Sequence, residues 1–368
     1  MLSVHLSTAR SWRGGENQVY LLADGLRALG QRPVVVAPDA APLLARCREK
    51  KIETYALKVH AEWDIYGAWK LARLLNGLRP VILHLHDGHA ILPGKMAARL
   101  SGLKHLKVVA HRRTVFKLKS RSKYGRRIDR VVAISHAVKE QLTAADIPDE
   151  NIRVVYSGID FPEPLPPDAP EVNALREKHA ISRDAFVLAH AGALTAEKRQ
   201  LDMIAAVGLV NDALKLRGEP GVHLALAGKG ELQTELGASA AKSGCGNYVH
   251  LLEFMTDLRP LWGMASMAVY ASEAEGLCTA LIEAQGAGLP AAVSKAGGMV
   301  EVVEDEQTGV IFNVGDTRAL SQAILEFHDN TALRERMGEK ARARARALFS
   351  SHSMVEGIVR VYAELTGR

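Results

Sequence analysis

The chain has 368 residues, with 48% hydrophobic and 24% charged, the composition of a soluble globular protein and not of a disordered or fibrous one. That length exceeds one ordinary core and suits two domains. The formal net charge is +6, too small to define a function by itself, and no run of roughly 18 uncharged apolar residues is present to suggest a transmembrane helix.

The opening Met-Leu-Ser-Val-His-Leu-Ser reads as a short strand and not as a signal peptide, since no basic n-region leads into an apolar run. Strands are then expected at Leu2–Ser7, Pro33–Ala37, Glu53–Leu57, Val81–His84, Leu106–Ala110, Arg130–Ile134 and Arg153–Tyr156. Amphipathic stretches such as Asn17–Leu29, Tyr66–Leu78 and His136–Ala144 alternate with them. Alternation of that kind predicts a doubly wound α/β domain. The segment Phe161-Pro-Glu-Pro-Leu-Pro-Pro-Asp-Ala-Pro170 reads as a linker, because proline serves neither helix nor ladder hydrogen bonds. The pattern restarts with strands at Phe186–Ala191, Val222–Ala227, Val249–Leu252, Met267–Ala271, Ala291–Ser294 and Val310–Phe312. The last 45 residues read as helical, with a basic run from Lys340 to Arg346. The chain therefore reads as two similar α/β domains. Cys47, Cys245 and Cys278 are odd in number and widely spaced, which points to a reducing cytoplasm and away from a disulfide framework or a zinc knuckle.

Several strand ends carry chemistry. The first leads into Ser11-Trp12-Arg13-Gly14-Gly15-Glu16, a glycine turn before a helix where backbone can approach a bound group; it is not the Gly-x-Gly-x-x-Gly dinucleotide fingerprint. His84-Leu-His86-Asp87-Gly88-His89 follows another strand. Its alternating histidines could share a strand face and bind a metal or, as we favour, line an acceptor site through His86, Asp87 or His89. His111 ends the next strand. From Lys104 to Arg130 there are eleven Lys or Arg against one acid, Asp129. Arg112, Arg113, Lys117, Lys119, Arg121 and Lys123 form the densest part. Such a patch suits a phosphorylated glycolipid or an acidic membrane surface. Nucleic acid is disfavoured, since no helix-turn-helix, zinc-finger or RNP signature accompanies the charge.

The most informative stretch runs from Met267 to Ser294: strand, polar turn with Glu275-Gly276-Leu277-Cys278, helix from Thr279, exit at Gly288-Leu289-Pro290, strand. One carboxylate, Glu275, falls in the loop at the carboxyl end of a strand. The other, Glu283, falls one turn into the helix, on the face of Thr279. Open α/β sheets bind ligands at this edge, and the free amides of the helix start suit a phosphate.

This stretch resembles the Glu-x7-Glu element of retaining glycosyltransferases of the large GT-B family 4. Gly297-Gly298-Met-Val-Glu301 is similar to the family's next element, and Gly228-Lys-Gly230 to its Ala-Gly-x-Gly turn. Gly192-Ala193-Leu194-Thr-Ala-Glu197-Lys198-Arg199 resembles its Gly-Arg-Leu-x-x-Glu-Lys-Gly element, with Ala193 in place of the arginine and Arg199 in place of the last glycine. The resemblance implies two Rossmann-like domains facing a cleft: an acceptor-side domain over residues 1–162, a nucleotide-sugar-binding domain over 163–348, and a last helix, 349–368, crossing back onto the first. It implies that Glu283 holds the nucleotide ribose and Glu275 the transferred sugar, with catalytic parts for His111 and Lys198. Gly14, Gly15, Arg199, Gly228, Gly276, Leu277, Cys278 and Thr279 complete the donor site. No cofactor or essential divalent ion is implied. The expected reaction moves a sugar from a nucleotide-sugar to a glycan or glycolipid in lipopolysaccharide-like envelope synthesis, in the cytoplasm or at the inner face of the membrane. A nucleotide-sugar epimerase or phosphorylase and a non-catalytic binding subunit are the alternatives.

Overall fold

The computed structural model describes residues 1–58, 63–118 and 121–367, with the side chain of Arg121 left out; Lys119 therefore lies outside the described residues. The chain divides into two compact units, Met1–Asp160 with Phe349–Arg368, and Phe161–Leu348.

The first unit runs β1 (Leu2–Leu6), α1 (Gly14–Ala28), β2 (Arg32–Ala37), α2 (Pro42–Glu49), β3 (Glu53–Ala56), α3 (Ile65–Leu78), β4 (Ile82–Leu85), α4 (Ile91–Ser101), β5 (Lys107–Arg112), β6 (Arg130–Ala133), α5 (His136–Thr143) and β7 (Ile152–Val154). Its sheet has the order β3-β2-β1-β4-β5-β6-β7, and every pairing is parallel. Central strands are covered on both faces, so Val34, Val35 and Val36 are fully buried, as a sheet of this type requires. Each expected strand is present, with its ends displaced by no more than two residues. Helix α1 starts three residues earlier than the apolar pattern indicated. The Glu16 carboxylate accepts from the Arg13 backbone N–H at 2.9 Å and so closes the first turn.

The second unit runs α6 (Pro170–Lys178), β8 (Val187–Ala191), α7 (Gln200–Leu216), β9 (His223–Ala227), α8 (Gln233–Lys242), β10 (Val249–Leu252), α9 (Arg259–Met264), β11 (Met267–Tyr270), α10 (Thr279–Gly286), β12 (Ala291–Ser294), α11 (Met299–Val302), β13 (Gly309–Phe312), α12 (Thr317–Asp329) and α13 (Thr331–Leu348). The sheet order is β10-β9-β8-β11-β12-β13. Both orders reverse direction beside the first strand, the arrangement that opens a ligand crevice at the carboxyl ends. Its core joins Met203, Val207 and Val210 of α7 to Leu320, Ile324 and Phe327 of α12, residues at helical spacing on one face.

The last helix, α14 (Ser351–Thr366), belongs to the first unit. Met354, Val355, Ile358, Val361 and Tyr362 pack with Leu21, Leu22 and Leu26 of α1. A side chain at Gly25 would place its Cβ 2.4 Å from Val355, so α1 and α14 approach this closely only because that position is glycine.

Candidate functional site

In the second unit two loops meet at the carboxyl edge of the sheet. The loop after β8 makes a 3₁₀ turn, Ala196–Lys198, and Arg199 closes it in the left-handed region with φ 51°. The loop after β11 ends on Cys278, also left-handed with φ 61°, immediately before α10. The backbone N–H of Glu273 donates to the Glu197 carbonyl at 2.9 Å and ties the loops together. This tie brings Lys198 onto Glu275, where the ammonium donates to the carboxylate in an ion pair whose side chains are 16% and 14% exposed. Such a pair is screened far less than a surface one.

A second turn braces Glu275 from the other side. Gly298 N–H donates to the Glu275 carbonyl at 3.0 Å. Gly297 has φ 51°, and a Cβ there would sit 1.9 Å from that carbonyl oxygen. Backbone lies on backbone, so any side chain at 297 would dislodge the Glu275 turn. Glu283 is half-buried one turn into α10. Burial pushes its carboxyl up to about 7, the Trp262 indole N–H opposes the rise, and Asp257 adds to it. The thiol of Cys278 is pushed well above the usual cysteine range by burial, then by Glu275, with Lys198 acting against both. Thr279 opens α10, whose first-turn amides have no intrahelical acceptor.

Arg199 takes a different position from Lys198. Its Nε donates to Asp202 at 2.7 Å and a second nitrogen lies 3.6 Å from Glu273, so its charge is already met by acids. At Ala193 the carbonyl accepts from Gln200 at 2.8 Å. Gly228 lies against Gly192, whose N–H donates to Ala227.

The first unit gathers four histidines at its own carboxyl edge. His5 on β1 is paired in register with His84 on β4; His86 follows β4, and His111 lies on β5. Their exposures run from 0 to 3%, and the rings stack, with 4.1 Å between the centroids of His84 and His86 and 5.2 Å between those of His84 and His111. His5 Nδ1 meets His86 Nε2 at 3.0 Å, and His84 Nε2 meets His111 Nδ1 at 3.1 Å. His84 Nδ1 meets the Tyr362 hydroxyl at 2.6 Å, and His5 Nε2 meets Ser3 Oγ at 2.9 Å. Burial holds all four well below the usual histidine range, His5 at about 3. The rings of His5, His84 and His86 are close enough to ligate one metal ion. Both nitrogens of each are nevertheless engaged in hydrogen bonds, and the Arg113 guanidinium, 3.3 Å from His86 Nδ1, opposes a dication there.

Arg113 thus departs from the expected surface patch. It turns inward against His86, with Nε and Nη1 buried and, among the described residues, without hydrogen-bond acceptors. Burial lowers it to about 10, while Glu16 and Asp87 support its charge. Asp87 ties loop to loop: it accepts from Thr8 N at 2.7 Å, Thr8 Oγ1 at 2.6 Å and Ala90 N at 2.9 Å. Arg112 folds back onto its own loop, donating to the Thr114 carbonyl at 3.0 Å and to the Phe116 carbonyl. Lys117 is exposed, Lys123 ends a 3₁₀ turn that starts at Arg121, and Gly14 and Gly15 open α1. Sequence reasoning overlooked His5, Tyr362 and Trp262. Only His5 left a local signal, a histidine alternating with Ser3 in an otherwise apolar strand.

Two Rossmann-like parallel α/β units, one bearing a lysine–glutamate pair at a strand-end loop before a helix that carries a second glutamate, define the architecture of the GT-B glycosyltransferases. The family model "Glycosyl transferases group 1" matches residues 171–344, and the model "Glycosyltransferase Family 4" matches residues 12–161. The chain belongs to this glycosyltransferase family. It is 24% identical over 328 residues to N-acetyl-alpha-D-glucosaminyl L-malate synthase of Bacillus anthracis, covering 86% of this chain and 83% of that one. It is 26% identical over 242 residues to the capsular polysaccharide biosynthesis glycosyltransferase CapM of Staphylococcus aureus, covering 63% and 60%. The matched part of the curated relatives ranges from 42% to 83% of their length, and is about half, 49%, for the putative glycosyltransferase EpsD of Bacillus subtilis. Among solved structures, Anabaena Alr3699/HepE in complex with UDP superposes with a TM-score of 0.84 at 20% identity, over 99% of this chain and 100% of that one. That likeness establishes the shared fold.

Proposed function

We propose that this chain transfers a sugar from a nucleotide-sugar donor to a glycan or glycolipid acceptor of the cell envelope, with retention at the anomeric carbon. The observation that carries the reading is the Lys198–Glu275 pair, held by two tied loops directly before α10 and above Glu283. The reaction must stabilise negative charge on a departing diphosphate and positive charge on an oxocarbenium-like sugar. Lys198 and the first-turn amides of α10 address the first need, and Glu275 the second. On this reading the donor exchanges the ion pair, with Lys198 turning to the phosphates and Glu275 accepting from sugar hydroxyls. Glu283 accepts from the ribose. These groups supply the charge that a divalent ion would otherwise bring, so turnover is expected to persist in EDTA. The names of CapM and of the malate synthase, and the UDP and UDP-glucose complexes of HepE, support a sugar nucleotide as the donor class.

A membrane-facing role for the first unit rests on separate observations. Lys117 and Phe116 are exposed beside Arg112. At the start of α3, Trp63, Ile65, Tyr66 and Trp69 are exposed by 44 to 76%, with Lys70 over Tyr66 and Arg73 over Trp69. Aromatic residues flanked by cations suit the headgroup layer of an anionic bilayer. The test of the main reading is a thermal-shift and turnover panel of UDP-, GDP-, ADP- and CMP-sugars. A ligand bound only by the folded state raises its melting temperature. One nucleotide class is expected to stabilise the protein and to be consumed with an acceptor. No stabilisation by any of them overturns the proposal.

A further inference from the structure

The four buried histidines form two hydrogen-bonded chains, and each chain begins at a group that must donate. In the first, Arg113 has only donors. His86 Nδ1 therefore accepts from it, which leaves the proton of neutral His86 on Nε2. That proton is donated to His5 Nδ1, and His5 in turn donates from Nε2 to Ser3 Oγ. In the second, the Tyr362 side chain is fully buried, and His84 Nδ1 is its one hydrogen-bond partner among the described residues. If the hydroxyl accepted, its own proton would be orphaned, at a cost of about 1–3 kcal/mol. It therefore donates. Neutral His84 then carries its proton on Nε2 and donates to His111 Nδ1. His111, neutral as well, carries its proton on Nε2. That nitrogen has no hydrogen-bond partner among the described residues.

We propose that Tyr362, from the last helix, and His84 are positioning residues that fix His111 as an Nε2–H donor for an oxygen of the substrate. The direction of the chain excludes His111 as a general base, since its outward nitrogen already holds the proton. On the glycosyl-transfer reading, on which only this part rests, that substrate oxygen is a sugar hydroxyl. Tautomer selection through the far nitrogen is how buried partners commonly set an imidazole's role.

The test is long-range ¹H–¹⁵N correlation on the intact chain with ¹⁵N-labelled histidine, His111 being assigned by its loss in His111→Gln. His111 is expected to show a pyrrole-type Nε2 and a pyridine-type Nδ1 from pH 5.5 to 8.5. In Tyr362→Phe the relay loses its obligatory donor, and His84 and His111 should move to the opposite tautomer or to a mixture. Turnover should fall roughly five- to tenfold, the rate equivalent of one neutral hydrogen bond, with donor KM unchanged. His84→Leu is a second variant, and for both a cooperative melt checks that the chain folds. A pyrrole-type Nδ1 on wild-type His111 overturns the proposal. So does an unchanged tautomer in both variants, or Zn²⁺ binding that shifts His5, His84 and His86 together. The spectra need no substrate: absence of sugar transfer with the assigned tautomer intact would count against the proposed reaction alone. A shifted tautomer with unchanged turnover would count against the positioning role alone.

Discussion

The carboxyl edges of the two sheets are built from opposite electrostatics. In the first unit four imidazoles are kept neutral, fully buried and hydrogen-bonded to one another, with one guanidinium turned in against them. In the second, a lysine and a glutamate form an ion pair, and a second glutamate is lifted to about 7 by burial. A neutral edge presents hydrogen bonds of fixed direction, which suits recognition of uncharged hydroxyls. A charged edge stores Coulomb energy that a diphosphate can exchange for its own. On the same fold plan, the first edge offers hydrogen bonds of fixed direction and the second offers charge.

Breaking the charged edge should have the largest consequences. Gly297→Val places atoms on the Glu275 carbonyl and is expected to abolish turnover and lower the melting temperature of the second unit, as read by activity and calorimetry. Lys198→Met removes the cation paired with Glu275. It should lower turnover by about 10²-fold at saturating donor, while Arg199→Met, whose charge is already held by Asp202, should cost far less. A larger effect at Arg199 would mean that the loop uses the other cation.

The two edges should also respond to pH with opposite sign. Burial lifts the Glu283 carboxyl from the ordinary glutamate value of 4.5 to about 7 in the folded chain. Its share of stability is therefore full below about 4.5 and is lost as pH rises through 7. The histidines have depressed values, so their share is full above about 6.5 and is lost as pH falls, for His5 toward about 3. Hydrogen exchange at pH 5 and 8, corrected for intrinsic rates, should find the first sheet less protected at the lower pH. Glu283→Gln should raise the melting temperature relative to wild type at pH 8 but not at pH 4.5. Because ribose hydroxyls favour the ionised carboxylate, donor affinity should weaken below pH 7 by up to about tenfold per unit. That limb should vanish in Glu283→Gln and persist in His111→Gln. The smallest effect is expected at the rim: Lys117→Ser with Lys123→Ser should lower co-sedimentation with anionic vesicles at low salt by roughly 1 kcal/mol per charge. Equal binding to neutral vesicles would remove the membrane reading.

The strands and the Glu275–Glu283 unit were legible because they are local. Strand periodicity, the turn at Gly276 and the exit at Gly288 lie within one short window, and α10 begins at Thr279 as its pattern indicated. What could not be read was non-local. His5 meets His86 across 81 positions, and His84 meets Tyr362 across 278, so neither relay leaves a spacing in the chain. Arg113 sits inside a basic run that reads as surface, yet it meets His86, 27 positions away. The Glu283 shift was hidden as well, because it arises from burial, opposed by Trp262 from a separate helix.

In the proposed reaction, the division of donor binding from donor chemistry falls between the two glutamates of the β11–α10 unit. It is tested most directly by titrating the nucleotide-sugar into wild type, Glu283→Ala and Glu275→Gln by calorimetry, with turnover measured on the same samples. Glu283→Ala should weaken binding by about 1.5–3 kcal/mol, the loss of a hydrogen bond to a charged group. Glu275→Gln should bind almost as wild type yet turn over at least about 10²-fold more slowly. Equal loss of affinity in both variants, or full turnover in Glu275→Gln, would contradict the assignment.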